Sequence, residues 1–162
     1  MSEKNMATHH TTHLPISDHD LKALGEWSID IEVFMWIKDR SSDIKTILEF
    51  GSGRATKIMS QYWSIISVEE DEKWMNLHHD HYIYAPIVNQ WYDVEAIKNN
   101  LQDIKEIDLI LVDGPAYGKR IGFYHNIDLV DPIAKNCRYI IFDDVERKDD
   151  FECYKSTLEK LR

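Results

Sequence analysis

Four short segments hold the side chains whose types and spacing could do chemistry. The first is Glu49-Phe50-Gly51-Ser52-Gly53-Arg54-Ala55-Thr56, where an acid precedes two closely spaced glycines. Two glycines let a backbone turn sharply and come close to a ligand. The dinucleotide fingerprint would need a third glycine where Thr56 stands, and a P-loop would need Gly-Lys-Ser/Thr, so neither is read here. The second segment is Ser67-Val68-Glu69-Glu70-Asp71. A carboxylate at the end of a second strand can accept both hydroxyls of a ribose, and Glu69 is the candidate. Glu70 and Asp71 read instead as the acidic start of a following helix.

The third segment is Asp113-Gly114-Pro115, followed by Lys119, Arg120 and His125, and the fourth is Asp143-Asp144. Three carboxylates on one sheet edge would repel one another, so one of them must hold a proton or the group must recruit a cation. A hard divalent ion takes oxygen ligands of this kind. Such an ion can lower the pKa of a substrate hydroxyl and make a nucleophile near neutral pH. Asp113, Asp143 and Asp144 are therefore the candidate metal ligands. The plainer alternative is that Asp-Gly-Pro only makes a turn and that Asp143 or Asp144 caps the last helix. Lys119 and His125 are candidate general bases, each with an ordinary reading as a solvated loop lysine and a helix-surface histidine. Arg120 suits either an acidic substrate group or an ion pair with Asp143 or Glu146.

The elements that must position these residues alternate. Apolar runs at Thr46–Phe50, Ile65–Val68, Ile83–Val88, Ile107–Val112 and Tyr139–Phe142 are short and rich in Ile, Val and Leu, as strands buried on both faces are. Helical patterns lie between and after them near Ala55–Trp63, Glu72–His79, Val94–Leu101, Phe123–Ala134 and Asp150–Leu161. This order predicts an α/β fold, a doubly wound parallel sheet with helices on both faces and ligands at the carboxyl ends of its strands. Upstream, Ser17-Asp18-His19-Asp20 reads as a helix start, and Leu21, Leu24, Trp27 and Ile31 continue an apolar stripe. Residues 1–13 form a polar tail whose His9, His10 and His13 are no preformed metal site.

At 162 residues the chain reads as that tail and one domain over 14–162, long enough to bury roughly two-thirds of its unfolded surface. Its 43% hydrophobic and 30% charged content is globular in type. Lys and Arg number 19 against 29 Asp and Glu, a net charge of −10. That balance argues against nucleic-acid backbones and anionic membranes as partners. Two cysteines, Cys137 and Cys153, are too few for a disulfide framework and suit a reducing compartment, so a cytoplasmic location is expected.

Over residues 44–145 these features together resemble the class I S-adenosylmethionine-dependent methyltransferases. Glu49, Gly51 and Gly53 match that family's first motif, and Glu69 matches its acid after strand two. The resemblance implies a Rossmann-like sheet of order 3-2-1-4-5, here without the family's usual last two strands. It implies that Gly51, Ser52 and Gly53 approach the methionine part of the cofactor and that Glu69 holds the ribose. Glu49 would lie beneath the turn, in touch with the cofactor amino group through water. Asp113 would sit beside the methyl donor.

Asp113, Asp143 and Asp144 also match the acids of metal-dependent O-methyltransferases. The stretch Val112-Asp113-Gly114-Pro115 with Gly118, Arg120 and Gly122-Phe123 is similar to polysaccharide and sugar methyltransferases. The implied reaction is methylation of a sugar or small-molecule hydroxyl, with Mg²⁺ or another divalent cation as the candidate metal. A catalytically silent cofactor-binding or partner-binding module of the same fold is the alternative. Aminopropyl transfer ranks below both, because no amine-binding acidic loop is found. Strand five would be left at a sheet edge, for which pairing between two copies is one solution.

Overall fold

The computed structural model describes residues 29–104, 106–115, 119–134 and 137–161, together with Ser17, Lys22 and Leu24; for 128–134 only the backbone is described. The polar tail with its three histidines, and nearly all of the expected helix from Ser17 to Trp27, lie outside the described residues.

Five strands form one parallel sheet: β1 (Thr46–Phe50), β2 (Ser64–Glu69), β3 (Tyr82–Tyr84), β6 (Leu109–Val112) and β7 (Tyr139–Phe142), in the order β3-β2-β1-β6-β7. In sequence rank that is the expected 3-2-1-4-5. Register is in phase across the middle of the sheet, with Phe50 beside both Val68 and Val112 and Val112 beside Phe142. The carboxyl ends of β1, β2, β6 and β7 therefore finish level. Asp108 pins the other end, its Oδ2 accepting the backbone N–H groups of Lys45 (2.8 Å) and Thr46 (3.0 Å).

Alternate side chains feed two cores, because successive residues of a strand point to opposite faces. On one face Ile47, Ile65, Leu109 and Leu111 pack with Phe34 and Ile37 of α1 (Ile31–Asp39) and with Ala55, Ile58 and Met59 of α2 (Arg54–Met59). On the other face Leu48, Phe50, Ile66, Val68, Ile110 and Val112 pack with Ile97 and Leu101 of α3 (Val94–Leu101). Phe123 and Ile127 of α4 (Ile121–Ala134) and Cys153 of α5 (Lys148–Lys160) complete that second core. Strands β1 and β6 are buried almost throughout, whereas β7, at the edge, is half-buried along its length.

Two stretches depart from the expected elements. The run Ile83–Val88 is split: β3 ends at Tyr84, and Ile87–Val88 (β4) pairs antiparallel with Trp91–Tyr92 (β5) in a separate hairpin. Pro86 lies at the break and cannot donate to a ladder. The hairpin turn is Asn89-Gln90, with φ of 52° and 69°, the doubly positive pattern that suits a two-residue loop. The hairpin buries Trp91 and Tyr92 against Phe50, with ring centroids 5.3 and 5.9 Å away, so Trp91 is a core aromatic. The expected helix Glu72–His79 is only a 3₁₀ turn, Glu72–Trp74, capped by Asp71 Oδ1 accepting the Lys73 N–H at 3.1 Å. Met75 is extended and Asn76 has φ 57°, which stops the helix there. No helix among the described residues is long and apolar enough to cross a membrane.

Candidate functional site

A cleft of about 820 Å³ opens over the level ends of β1, β2, β6 and β7. It lies where the strand order reverses between β1 and β6, the usual place for ligands in such sheets. Its walls bring together Gly51, Ser52, Gly53, Glu69, Asp113, Asp143 and Asp144. Three other candidate residues do not line it. Glu49 is buried below the turn, Lys119 is half-buried in the segment before α4, and His125 is exposed on α4.

The glycine turn is fixed by the protein itself. Gly51 has φ 90°, and a Cβ there would stand 3.0 Å from the Cα and N of Gly114. The close approach that demands glycine is thus to the loop after β6. That loop is held by Asp113 and Gly114, whose N–H groups both donate to the Phe50 carbonyl at 3.1 and 2.5 Å. At the next corner the Gly53 N–H donates to Thr56 Oγ1 (2.9 Å), and Thr56 Oγ1 donates to Glu49 Oε1 (2.8 Å). Thr56, at the third-glycine position, therefore closes the turn with its hydroxyl.

Glu49 also accepts from Ser67 Oγ, and Ser67 Oγ contacts His79 Nε2 at 2.8 Å. The His81 N–H donates to His79 Nδ1 at 3.1 Å, so that nitrogen is the bare one. Nε2 then carries the hydrogen and donates to Ser67, which donates onward to Glu49. Burial holds His79 neutral, lowering its pKa to about 4, with the charges of His81 and His78 acting the same way. Burial also pushes the Glu49 carboxyl up to about 8, against the two hydroxyl bonds and with the Asp113 and Glu69 charges. Glu49 is a neutral structural acid at neutral pH, joined to the turn through Thr56.

Glu69 is 4% exposed, and its carboxylate organises two loops. Oε2 accepts the Ser52 N–H at 2.9 Å, while Oε1 accepts those of Glu70 (2.8 Å) and Asp71 (3.0 Å). A carboxylate offers about four lone-pair sites, so three N–H groups leave room for one hydroxyl rather than the expected pair. Burial raises its pKa to about 7, opposed by the Asp71 and Ser52 N–H bonds and assisted by the Glu70 charge. Ser52 Oγ adds a 2.9 Å bond to Tyr82 Oη, and the Tyr82 ring stacks on His79 with centroids 4.3 Å apart.

Asp113, Asp143 and Asp144 converge at the far side, each offering an oxygen within 4.8 Å of the others. Neither Asp143 nor Asp144 caps α5. The N-cap is Arg147, which has no side-chain cap bond, and Asp144 supplies only its backbone carbonyl to the Arg147 N–H at 2.9 Å. Asp144 has φ 56°, a conformation Asp adopts more readily than most residues.

Arg120 is 3% exposed and reaches into the cluster. Its Nη2 donates to Asp113 Oδ1 (3.1 Å), Asp144 Oδ2 (2.9 Å) and the Asp113 carbonyl, and its Nη1 to the Asp143 carbonyl (2.8 Å). It is also 3.8 Å from Asp150, while Arg147 Nη1 lies 2.7 Å from Asp144 Oδ2. Of the two expected roles Arg120 fills the ion pair, though with Asp113 and Asp144 rather than the Asp143 or Glu146 side chains.

Four carboxylates (Asp113, Asp143, Asp144 and Asp150) thus face two guanidiniums, and the imbalance falls on Asp143. Burial first, then the Asp113 and Asp144 charges, push the Asp143 pKa up to about 7. Burial likewise raises Asp113, against the Arg120 charge and a hydrogen bond from Asp143. The spacing, the all-oxygen donors and the surplus negative charge fit one hard divalent cation. The named arginine bonds use one oxygen each of Asp113 and Asp144.

Sequence reasoning missed the buried Arg120–Asp150 pairing and the place of Tyr92 in the cleft wall. The signal for Tyr92 was the turn pair Asn89-Gln90 between two apolar dipeptides, which brings the tyrosine back over β1. No protein-family model, no curated protein and no solved structure matches the chain.

Proposed function

We propose that the chain is a Rossmann-like methyltransferase that binds S-adenosylmethionine and methylates a hydroxyl of a sugar or other small molecule. One observation carries this reading: the glycine turn, Glu69 and the three aspartates line one cleft at the strand-order reversal of a parallel sheet. The backbone of Gly51–Gly53 would lie against the methionine part of the cofactor. The open acceptor site of Glu69 would take one ribose hydroxyl. The acceptor would enter beside Asp113, at the β6 and β7 ends. In that reaction the acceptor oxygen would bond to the methyl carbon as the sulfur–carbon bond broke, which would leave S-adenosylhomocysteine and pass the hydroxyl proton to a base or to water. Lys119 is the candidate base nearest that side in sequence; His125, exposed on α4, is set aside for this role. Asp113, Asp143 and Asp144 would hold a divalent cation such as Mg²⁺, whose chemistry is to lower the pKa of a bound hydroxyl.

Arg120 favours one second reading, a cofactor-binding module without turnover, because its guanidinium already neutralises two of the three aspartates. The half-buried edge strand β7, beside exposed Phe151 and Tyr154 of α5, makes pairing of two copies part of the proposal. Calorimetry with S-adenosylmethionine and S-adenosylhomocysteine, followed by product detection on a panel of sugars and phenols, separates these readings. Binding with turnover supports the enzyme, binding without turnover the module, and absence of binding neither.

A further inference from the structure

Tyr92 is the side chain whose position in the cleft the glycine turn and the acids leave unexplained. It is 1% exposed, its ring wedged between Phe50 and Trp91, yet it forms part of the cleft wall. Its hydroxyl lies in the notch left by Gly114, where any Cβ would collide with it. Among the described residues no hydrogen bond of normal geometry satisfies that hydroxyl, and Glu70 is the one side chain close enough to act on its proton. A buried hydroxyl without a partner destabilises the free protein, and phenylalanine would fill the same space without that penalty. The groups acting on it are Glu70, Glu69 and Asp113, all carboxylates. Three of the four cations lining the cleft are engaged elsewhere, Lys73 with Asp71 and Arg120 and Arg147 with Asp144, while Arg54 stands exposed at the start of α2.

We propose that Tyr92 Oη is a ligand-binding group, accepting a hydrogen bond from the cationic, N–H-bearing end of the molecule held in the cleft. The phenol keeps its proton in this acidic setting, and its oxygen has lone pairs open to a donor. An ammonium placed there satisfies the orphan oxygen and offsets the acids at the same time. An anionic group at that hydroxyl would meet the Glu70, Glu69 and Asp113 charges. The assignment rests on the cofactor reading in one respect: the ammonium is taken to be that of the methionine part of S-adenosylmethionine.

Tyr92→Phe is the test, since it removes one oxygen and keeps the ring. Without ligand, the variant should melt at the same temperature as wild type or higher. A clearly lower melting temperature would mean that the hydroxyl is already bonded within the protein, and would overturn the proposal. In calorimetry with S-adenosylhomocysteine the variant should bind roughly 10-fold or more weakly, the size of one hydrogen bond to a charged group. Methylthioadenosine, which has the nucleoside but no ammonium, should bind wild type and variant alike. Unchanged affinity for S-adenosylhomocysteine, or an equal loss for both probes, would refute the ammonium contact. If wild type bound neither probe, the cofactor reading itself would fail, and the ligand-free melting comparison would still decide whether the hydroxyl lacks a partner.

Discussion

Ser52 donates its backbone N–H to Glu69 Oε2 at 2.9 Å, and this bond, beside that of the Gly51 N–H to the Val68 carbonyl at 2.9 Å, ties the loop after β1 to the end of β2. Glu69 is thereby a structural acid as well as a ligand candidate. Glu69→Ala removes the acceptor for three backbone N–H groups at once, two of them on the loop leading to the 3₁₀ turn. The expected cost is about 1–3 kcal/mol in denaturant unfolding, with weakened binding of any adenosyl ligand. Unchanged stability would mean that water replaces the carboxylate freely.

Gly51 is the second prediction. Its positive φ and its 3.0 Å approach to Gly114 make any side chain there unfavourable before a ligand is considered. Gly51→Ala should destabilise the ligand-free protein by roughly 1–3 kcal/mol. Thermal melts of the free variant check this, and a native-like melting temperature would show that the Gly114 loop can yield.

The third prediction concerns pH. Glu49 binds its proton more tightly folded, with a pKa near 8 against 4.5 as the reference, so the folded state holds the extra proton between those values. Stability from this group is therefore full below about pH 4.5 and falls as pH rises toward 8. His79 acts oppositely: lowered to about 4 from 6.5, it makes stability rise with pH across that lower window. From about pH 6.5 to 8 His79 no longer contributes, and the raised acids alone set the slope. There stability should fall with rising pH, Glu49 contributing at most about 1.4 kcal/mol per pH unit. Glu69 and Asp143, both raised to about 7, slope the same way, so Glu49→Gln should flatten the fall without abolishing it. Urea midpoints at several pH values measure the slope, and identical slopes in wild type and variant would contradict the assignment of a buried neutral Glu49.

Arg120 and the metal question give the fourth. Arg120→Met leaves Asp113, Asp144 and Asp150 without their buried cation and should cost about 3–5 kcal/mol. Asp143→Asn should instead fold normally and bind the cofactor nearly as wild type does, because the glycine turn and Glu69 lie on β1 and β2. Where a divalent ion activates the acceptor, that variant loses methyl transfer and chelator reproduces the loss in wild type. Full turnover in excess chelator would remove the ion from the reaction.

Much of this molecule was legible in its sequence wherever the signal was local. Val94–Leu101 and Thr46–Phe50 fall where the apolar periods place them, and the acids at the ends of β2, β6 and β7 meet in one cleft with the glycine turn after β1. What was not legible depends on partners far along the chain. Arg120 reads as the partner of a substrate acid or of Asp143 or Glu146, and only the fold brings Asp150 of α5 to it. Gly51 and Gly114 each read as turn glycines, whereas they are glycines because the two loops touch. The hairpin Ile87–Tyr92 escaped because two-residue strands carry almost no period and Asn89-Gln90 lacks the glycine that usually marks such a turn. Glu69 was assigned to a ligand from its place after a strand, but only the folded loops reveal how many of its lone pairs the backbone already uses.

Titration of the wild-type chain with S-adenosylhomocysteine tests the central claim most directly. Saturable one-to-one binding is expected, weakened about 10-fold or more in a folded Glu69→Ala variant and little changed in Asp143→Asn. No binding heat and no thermal shift in wild type at millimolar ligand, with the protein melting cooperatively, would contradict the cofactor assignment.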